Sequence, residues 1–324
     1  MGVLRFTGRR LLISIPILIF ASLFVFLLAI NSGNPLAYLL LTHTPHASIV
    51  AREKQLHIGQ AFFPRYWFWI SHFVRGNFGT NNEGIPVNHL VWTHLWVTVR
   101  FVAVAMVAAV LLAILFGVVA AVRQYSLLDY VTTFIGFLLL SMPVFWFAAL
   151  LKEYVAIRIN HLVGHTFIYT IGSATPGLTG GFFHNFGNYA GHLLLPTIAL
   201  AGISYASWSR YERATMLDVL GADYVRLARA KGLPPVKVIV KHALRNALIP
   251  LTTVVSIDVS AVLGATIITE QVFGWQGMGS LLYDAVTKPD VNELLAWLMV
   301  TATIVIVFNL IADLLYGVLD PRIR

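Results

Sequence analysis

Six apolar runs, each long enough to cross a membrane as a helix, alternate with polar stretches along the 324-residue chain. About 20 predominantly apolar residues are needed for a helical crossing. The pattern predicts spans over 11–30, 94–122, 130–157, 192–209, 249–269 and 294–319. The second has a charge-free core from Phe101 to Val122, between Arg100 and Arg123. The third is interrupted by Ser141-Met142-Pro143, where proline removes a backbone hydrogen bond and kinks the helix. The fourth is short and contains Pro196, and the fifth and sixth carry Asp258 and Asp313. The expected fold class is an all-α integral membrane protein with six transmembrane helices.

The polar stretches differ in kind. Residues 1–10 are basic through Arg5, Arg9 and Arg10, and no small-x-small cleavage site follows Ile30, so the first span is read as retained. Residues 31–93 are the longest expected external region. Asn31, Gly33, Asn34 and Pro35 break the first helix, and Pro64 opens a short aromatic helix with Tyr66, Trp67, Phe68, Trp69, Ile70, Phe73 and Val74, suited to the lipid–water boundary. Lys152 and Glu153 are adjacent on a helix and do not face each other, so each is expected to reach toward the interface. Residues 158–191, glycine-rich, read as an external loop with little helix, and 270–293 as a shorter one.

The segment 210–248 is the long polar interruption between two membrane-grade runs. It holds Arg210, Arg213, Arg226, Arg229, Lys231, Lys237, Lys241 and Arg245 against Glu212, Asp218 and Asp223. Loops rich in Lys and Arg stay on the cytoplasmic side. With six spans both termini are also inside, and the tail 320–324 adds Arg322 and Arg324. Within the segment, Asp223 is expected to cap a helix from Tyr224 to Lys231 through the free N–H groups of its first turn. Gly232 suits the left-handed position past that helix, and Leu233-Pro234-Pro235 stops it. A second helix starts with Pro235 in its first turn, carrying Lys237, Lys241 and Arg245 as one stripe. An eight-residue helix is unstable alone in water, so it must be held from behind, and either a partner protein or anionic headgroups can meet its basic face.

Composition then narrows the chemistry. With 58% hydrophobic and 11% charged residues the chain departs from a soluble enzyme's balance. The charge of +8 crowds the expected cytoplasmic segments, which argues against nucleic acid. Without cysteine there is no disulfide, iron–sulfur or thiolate zinc chemistry. No G-x-x-x-x-G-K-[ST] motif is present, so ATP would have to be bound by another polypeptide. No nucleophile–base pair stands out, and no catalytic residue is assigned. His43, His46, His57, His72 and His89 lack zinc-like spacing. His161 and His165 are four apart, but Gly164 between them opposes a shared helical face.

Asp258 is the informative single residue. A carboxylate at mid-membrane costs roughly 2.5–3.5 kcal/mol on insertion scales, so it faces a partner, a cavity or water. Two readings stand side by side: an acid hydrogen-bonded at a helix interface near Ser256 or Ser260, and a pathway residue that attracts the cationic end of a solute.

The run DYVRLARAKGLPPVKVIVKHALRNALIP resembles the cytoplasmic loop of permease subunits in the dipeptide, oligopeptide and nickel group of ABC importers. Aligned on Gly232, the family's E-A-A-x-x-x-G pattern falls on Arg226, Leu227 and Ala228, so the Glu is replaced, as in many peptide-type permeases. EQVFGWQGMGSLL, with Gln276 where the family usually has Pro, is similar to the turn before the last span. DLLYGVLDPRIR resembles the family's ending, the run Tyr66 to Val87 its external segment, and Ser141-Met142-Pro143 its third span. The resemblance implies a type I ABC importer permease-like fold with a coupling helix that docks on an ATPase subunit. That role is carried onto Asp223, Tyr224, Val225, Arg226, Leu227, Ala228, Arg229, Ala230, Lys231 and Gly232. Asp258, Ser141, Met142 and Pro143 are the candidate pathway residues. The resemblance further implies a second homologous permease, two cytoplasmic ATPase subunits that hold ATP and Mg, and an extracytoplasmic binding protein, in a bacterial inner membrane. The solute is expected to be a di- or oligopeptide, with a nickel chelate or other small solute as the alternative. An ion-coupled carrier or channel using Asp258, and a membrane-bound histidine metalloenzyme, are the other classes.

Overall fold

The computed structural model describes residues 2–31 and 34–319. Readings that fall on Gly33, Arg322 and Arg324, and on the side chains of Arg5, Ser260 and Asp313, lie outside the described residues. Helices follow one another in the order α1 Gly2–Asn31, α2 Ala37–Leu41, α3 His46–Gln55, α4 Phe62–Val74 and α5 Val87–Val122. Next come α6 Leu127–Ser141, α7 Val144–Leu150, a π-helical stretch Leu151–Ala156, and α8 Ile157–Val163. The second half holds α9 Phe182–Leu220, α10 Asp223–Ala230, α11 Pro235–Lys237, a π-helical stretch Val238–Leu244, α12 Arg245–Phe273, α13 Met278–Thr287 and α14 Val291–Leu319.

Among the described residues five segments are long and apolar enough to cross a membrane: Gly8–Asn31, Val87–Val122, Phe182–Leu220, Pro235–Val259 and Val291–Ile311. A sixth is the pair Leu127–Ser141 and Val144–Val163, bent by 111°. The bend falls at the break read from Pro143. Steric pressure from a proline ring drives the preceding residue out of the helical region, and Met142 is extended at ψ 132°. The result is a broken helix, sharper than a kink.

The helices outrun their apolar stretches. α5 begins at Val87, and α9 begins at Phe182 and runs to Leu220, where the sequence predicted a span of 192–209. The loop 158–191, read as having little helix, gives up both its ends to α8 and α9. A helix satisfies its own backbone at any depth, so hydropathy marks its buried part and not its ends. What remains of that loop is tied down by side chains. Asn160 Nδ2 donates to the Ile168 carbonyl at 2.7 Å, and the His192 ring nitrogen Nδ1 donates to the Gly172 carbonyl at 2.8 Å.

The chain divides into two compact units, one built on 99–275 and the other on 6–98 with 276–307. In the first, α5 and α9 meet through small residues, as membrane helices do: Ala109 and Ala113 pack with Ala201, Trp208 and Leu251. At Gly117 a Cβ would lie 2.8 Å from the Ser209 carbonyl oxygen, so only glycine allows that approach. Arg213 on α9 forks onto Asp129 at the start of α6, Nε to Oδ1 at 2.6 Å and Nη2 to Oδ2 at 2.7 Å. Ser126 caps the same helix, accepting from the Asp129 N–H at 3.4 Å. Lys152 donates through Nζ to the Val272 carbonyl at 2.8 Å, where the sequence led us to expect an amine at the interface.

The second unit is held by aromatic packing. Phe62, Tyr66, Trp69 and Phe73 of α4 cover Phe26 and Ala29 of α1 and Val291, Leu295 and Met299 of α14. Pro64 lies in the first turn of α4, which opens two residues earlier at Phe62. Arg52 of α3, nearly buried, reaches Asp290 at 3.3 Å and the Thr80 carbonyl at 2.8 Å. Asp290 also accepts from the backbone N–H of Asn82, Asn292 and Glu293. Burial pushes the Asp290 carboxyl up, against the pull of Arg52 and these donors.

Candidate functional site

Two places carry the residues singled out by sequence. The first is the turn of α9 into α10 and α11. α10 spans Asp223–Ala230, and Ala222 is its N-cap, with no side chain bonded to the free N–H groups. Asp223 therefore does not cap the helix. It is the first helical residue, almost fully exposed, and lies 3.6 Å from Arg226. Its charge still sits in the first turn, where the helix dipole favours an anion. Gly232 takes φ +74°, the left-handed geometry expected of it. Pro235 opens the next helix at its first position. That helix does not stay separate: α11 passes through the π-helical stretch into α12 without a break.

α10 has two faces. Val225 and Ala228 are buried in a cluster with Ala121 of α5, Met216 of α9, and Val238, Ala243 and Ala247 of the following helix. Burying a side chain such as Val225 contributes about 1.5–3 kcal/mol, which holds a helix too short to persist alone. The opposite face leaves Tyr224, Arg226, Leu227, Arg229, Ala230 and Lys231 exposed, as are Lys237, Lys241 and Arg245 beyond the turn. Leu227 is 55% exposed and Tyr224 43%. The arrangement sets an apolar pair among cations on a helix fixed from behind.

The second place surrounds Asp258. The indole Nε1 of Trp208 donates to Asp258 Oδ2 at 2.7 Å. Trp208 is 1% exposed and wedged among Ala109, Ala113, Ala201 and Leu251, so the donor is fixed. A cavity of about 210 Å³ opens beside the carboxylate, walled by Leu140, Val144, Ser204, Ser207, Trp208 and Val262 among others. Indole is a donor only, and among the described residues this N–H is what holds the Asp258 carboxylate, which itself lines the cavity. Ser141, Met142 and Pro143 do not line the cavity; their flanks Leu140 and Val144 do. Trp208, Ser204 and Ser207 were not singled out in the sequence. Their i, i+3 and i+4 spacing on α9 was the available signal.

His161 and His165 stand on either side of a helix end, since α8 stops at Val163 and Gly164 takes φ +79°. Among the described residues no three His, Asp or Glu side chains group as metal ligands.

A family model described as the binding-protein-dependent transport system inner membrane component matches residues 113–324. The chain belongs to that family. It is 37% identical over 323 residues to the oligopeptide transport system permease protein OppB of Mycobacterium tuberculosis, covering 99% of both chains. It is 35% identical over 322 residues to AppB, an oligopeptide transport system permease protein of Bacillus subtilis, covering 98% of each. The dipeptide transport system permease protein DppB of Escherichia coli is 33% identical over 338 residues, with 99% of each covered. The resemblance read in the loop, the turn and the ending is thus borne out over the whole length. A solved structure of the MetNI methionine ABC transporter in inward-facing conformations matches with a TM-score of 0.53 at 16% identity, over 71% of this chain and 96% of that one. That likeness speaks to the fold: an all-helical ABC importer permease. This family member is therefore a multi-pass membrane permease subunit of an ABC importer, and not itself an enzyme.

Proposed function

We propose that the chain forms half of the translocation pathway of an ATP-driven importer of di- and oligopeptides. Its pathway is completed by a second, similar permease, and ATP with Mg is bound by two separate ATPase subunits. An extracytoplasmic binding protein delivers the peptide. The protein lies in a bacterial inner membrane with both termini and the 210–248 segment on the cytoplasmic side. The peptide solute follows from full-length similarity to permeases named for oligopeptide and dipeptide transport.

The observation that carries the coupling is the two-faced α10: Val225 and Ala228 are locked into the membrane unit while Tyr224 and Leu227 stay open. An ATPase subunit that grips the open face moves α9 and α12 with it, because α10 shares one packed cluster with the end of α9 and the start of the α11–α12 rod. Asp258 sits on the same α12, and its carboxylate attracts the cationic amino terminus of a peptide as the cavity opens. Among the described residues its hydrogen-bond partner is the neutral indole of Trp208.

The test is uptake into proteoliposomes that contain the full complex. Labelled tripeptide enters only when ATP is on the ATPase side, and a protonophore leaves the rate unchanged. Uptake by this chain alone, driven by a proton gradient, would instead favour the carrier built on Asp258. Uptake of a nickel chelate with no response to peptide would replace the solute and keep the rest.

A further inference from the structure

In the unit built on 6–98 and 276–307, a cavity of about 490 Å³ lies between α1, α4 and the start of α14. Its size is in the range of small-molecule sites. The charges are one-sided. Arg65, His57 and His72 line it and no carboxylate does. Arg65 forms no ion pair among the described residues, and its buried Nε has no hydrogen-bond partner. Burial alone holds its guanidinium below the usual value, with no acid nearby to offset the cost. His72 donates through Nδ1 to the Phe68 carbonyl at 2.8 Å, which turns its Nε2 away from the helix backbone.

The rest of the wall mixes apolar Phe26, Phe68, Trp69 and Leu295 with the neutral amides of Asn77 and Asn88. Phe26 lies five residues inside the end of the span Gly8–Asn31, and Leu295 a similar distance inside the start of Val291–Ile311. Five residues are about 7.5 Å of helix, close to the depth of one headgroup layer. The cavity thus joins the edge of the hydrocarbon to the headgroup level. On α4, Phe63 is 74% exposed and Trp67 71%, the aromatic placement of an interfacial helix.

We infer that this cavity is a binding site for one anionic phospholipid, its phosphate on Arg65 and one acyl chain against Phe26, Trp69 and Leu295. A guanidinium matches a phosphate in a forked, charge-assisted pair, and an anion there compensates a cation otherwise left partly desolvated. Free phosphate would satisfy Arg65 but would leave Phe68, 41% exposed on the cavity wall, uncovered. A neutral lipid would cover the wall but not the charge.

Native mass spectrometry of the full complex, delipidated and titrated with phosphatidylglycerol, phosphatidylcholine or inorganic phosphate, tests the site. One phosphatidylglycerol per copy of this chain is expected to be retained at least ten-fold more tightly than phosphatidylcholine. Arg65→Gln should abolish that preference and Arg65→Lys should keep part of it. Should Arg65→Gln fail to assemble, Asn88→Trp fills the cavity with Arg65 in place and should also lose the lipid. Wild-type retention in either Gln or Trp variant, equal retention of phosphatidylcholine, or displacement of the lipid by millimolar phosphate overturns the proposal.

Discussion

Trp208 on α9 holds Asp258 on α12 through a 2.7 Å hydrogen bond at the edge of a membrane cavity. The two residues are predicted to separate on mutation. Asp258→Asn keeps an acceptor for the indole and removes a charge that costs roughly 2.5–3.5 kcal/mol at mid-membrane, so the complex should melt no lower than wild type. Its ATP-driven peptide uptake should nevertheless fall by about ten-fold, the worth of one charge-assisted contact of roughly 1.5 kcal/mol. Asp258→Leu strands the indole N–H and should lower stability by about 1–3 kcal/mol. Unchanged uptake and solute preference in Asp258→Asn would leave the acid a structural hydrogen-bond acceptor only.

Glu212, on α9 about one turn from Trp208 toward α10, is wholly buried, and neither of its carboxylate oxygens has a hydrogen-bond partner. Gly117 presses against its stem, where an added Cβ would come within 2.8 Å of Glu212 Cβ. An unpaired buried acid costs free energy that an apolar side chain of similar size does not. Glu212→Leu and Glu212→Met should therefore raise thermal stability, by about 1–3 kcal/mol of the desolvation cost recovered. Gly117→Ala should lower it by about 1–3 kcal/mol through overpacking. Thermal melts of the detergent-solubilised complex check both signs.

Arg52 and Asp290 form a nearly buried pair, 3.3 Å apart, and Asp290 also caps the start of α14. Removing either partner alone leaves a buried charge and should cost about 3–5 kcal/mol. Replacing both, as Arg52→Met with Asp290→Leu, should cost less than the two singles together, with a coupling of about 0.5–3 kcal/mol. Since burial raises the Asp290 carboxyl, protonation of this group favours the folded form. Its contribution is fully present below the unfolded carboxyl's pKa and fades as pH rises through the raised folded value. Acid should therefore not weaken the unit through Asp290, and a melt series from neutral to acid pH on wild type and Asp290→Asn reads that sign.

How much of this was legible depended on whether the backbone or a neighbour decides. Gly232 and Pro235 were readable because each restricts its own φ, and the structure has them at φ +74° and at a first helical position. Pro143 announced a kink, and the structure instead breaks the helix at extended Met142, with 111° between the two arms. Asp223 looked like a cap, but Ala222 is the residue that turns extended at ψ 149° and takes that place. The charge on Asp258 was visible, while its partner was not: a tryptophan in an apolar run reads as core until a neighbouring helix brings an acceptor to it. Lys152 likewise found a carbonyl 120 residues away in sequence. Long-range pairs of this kind leave no local pattern.

The chain has no cysteine, so a single Leu227→Cys on the open face of α10 is a unique probe of the central claim. In the assembled complex, a short bifunctional thiol–amine reagent added from the ATPase side should join this residue to an ATPase subunit. The linked complex should keep hydrolysing ATP poorly or not at all and should stop importing peptide. A cysteine that reacts only from the opposite side of the membrane, or one that links to no ATPase and leaves uptake intact under quantitative labelling, would contradict the account.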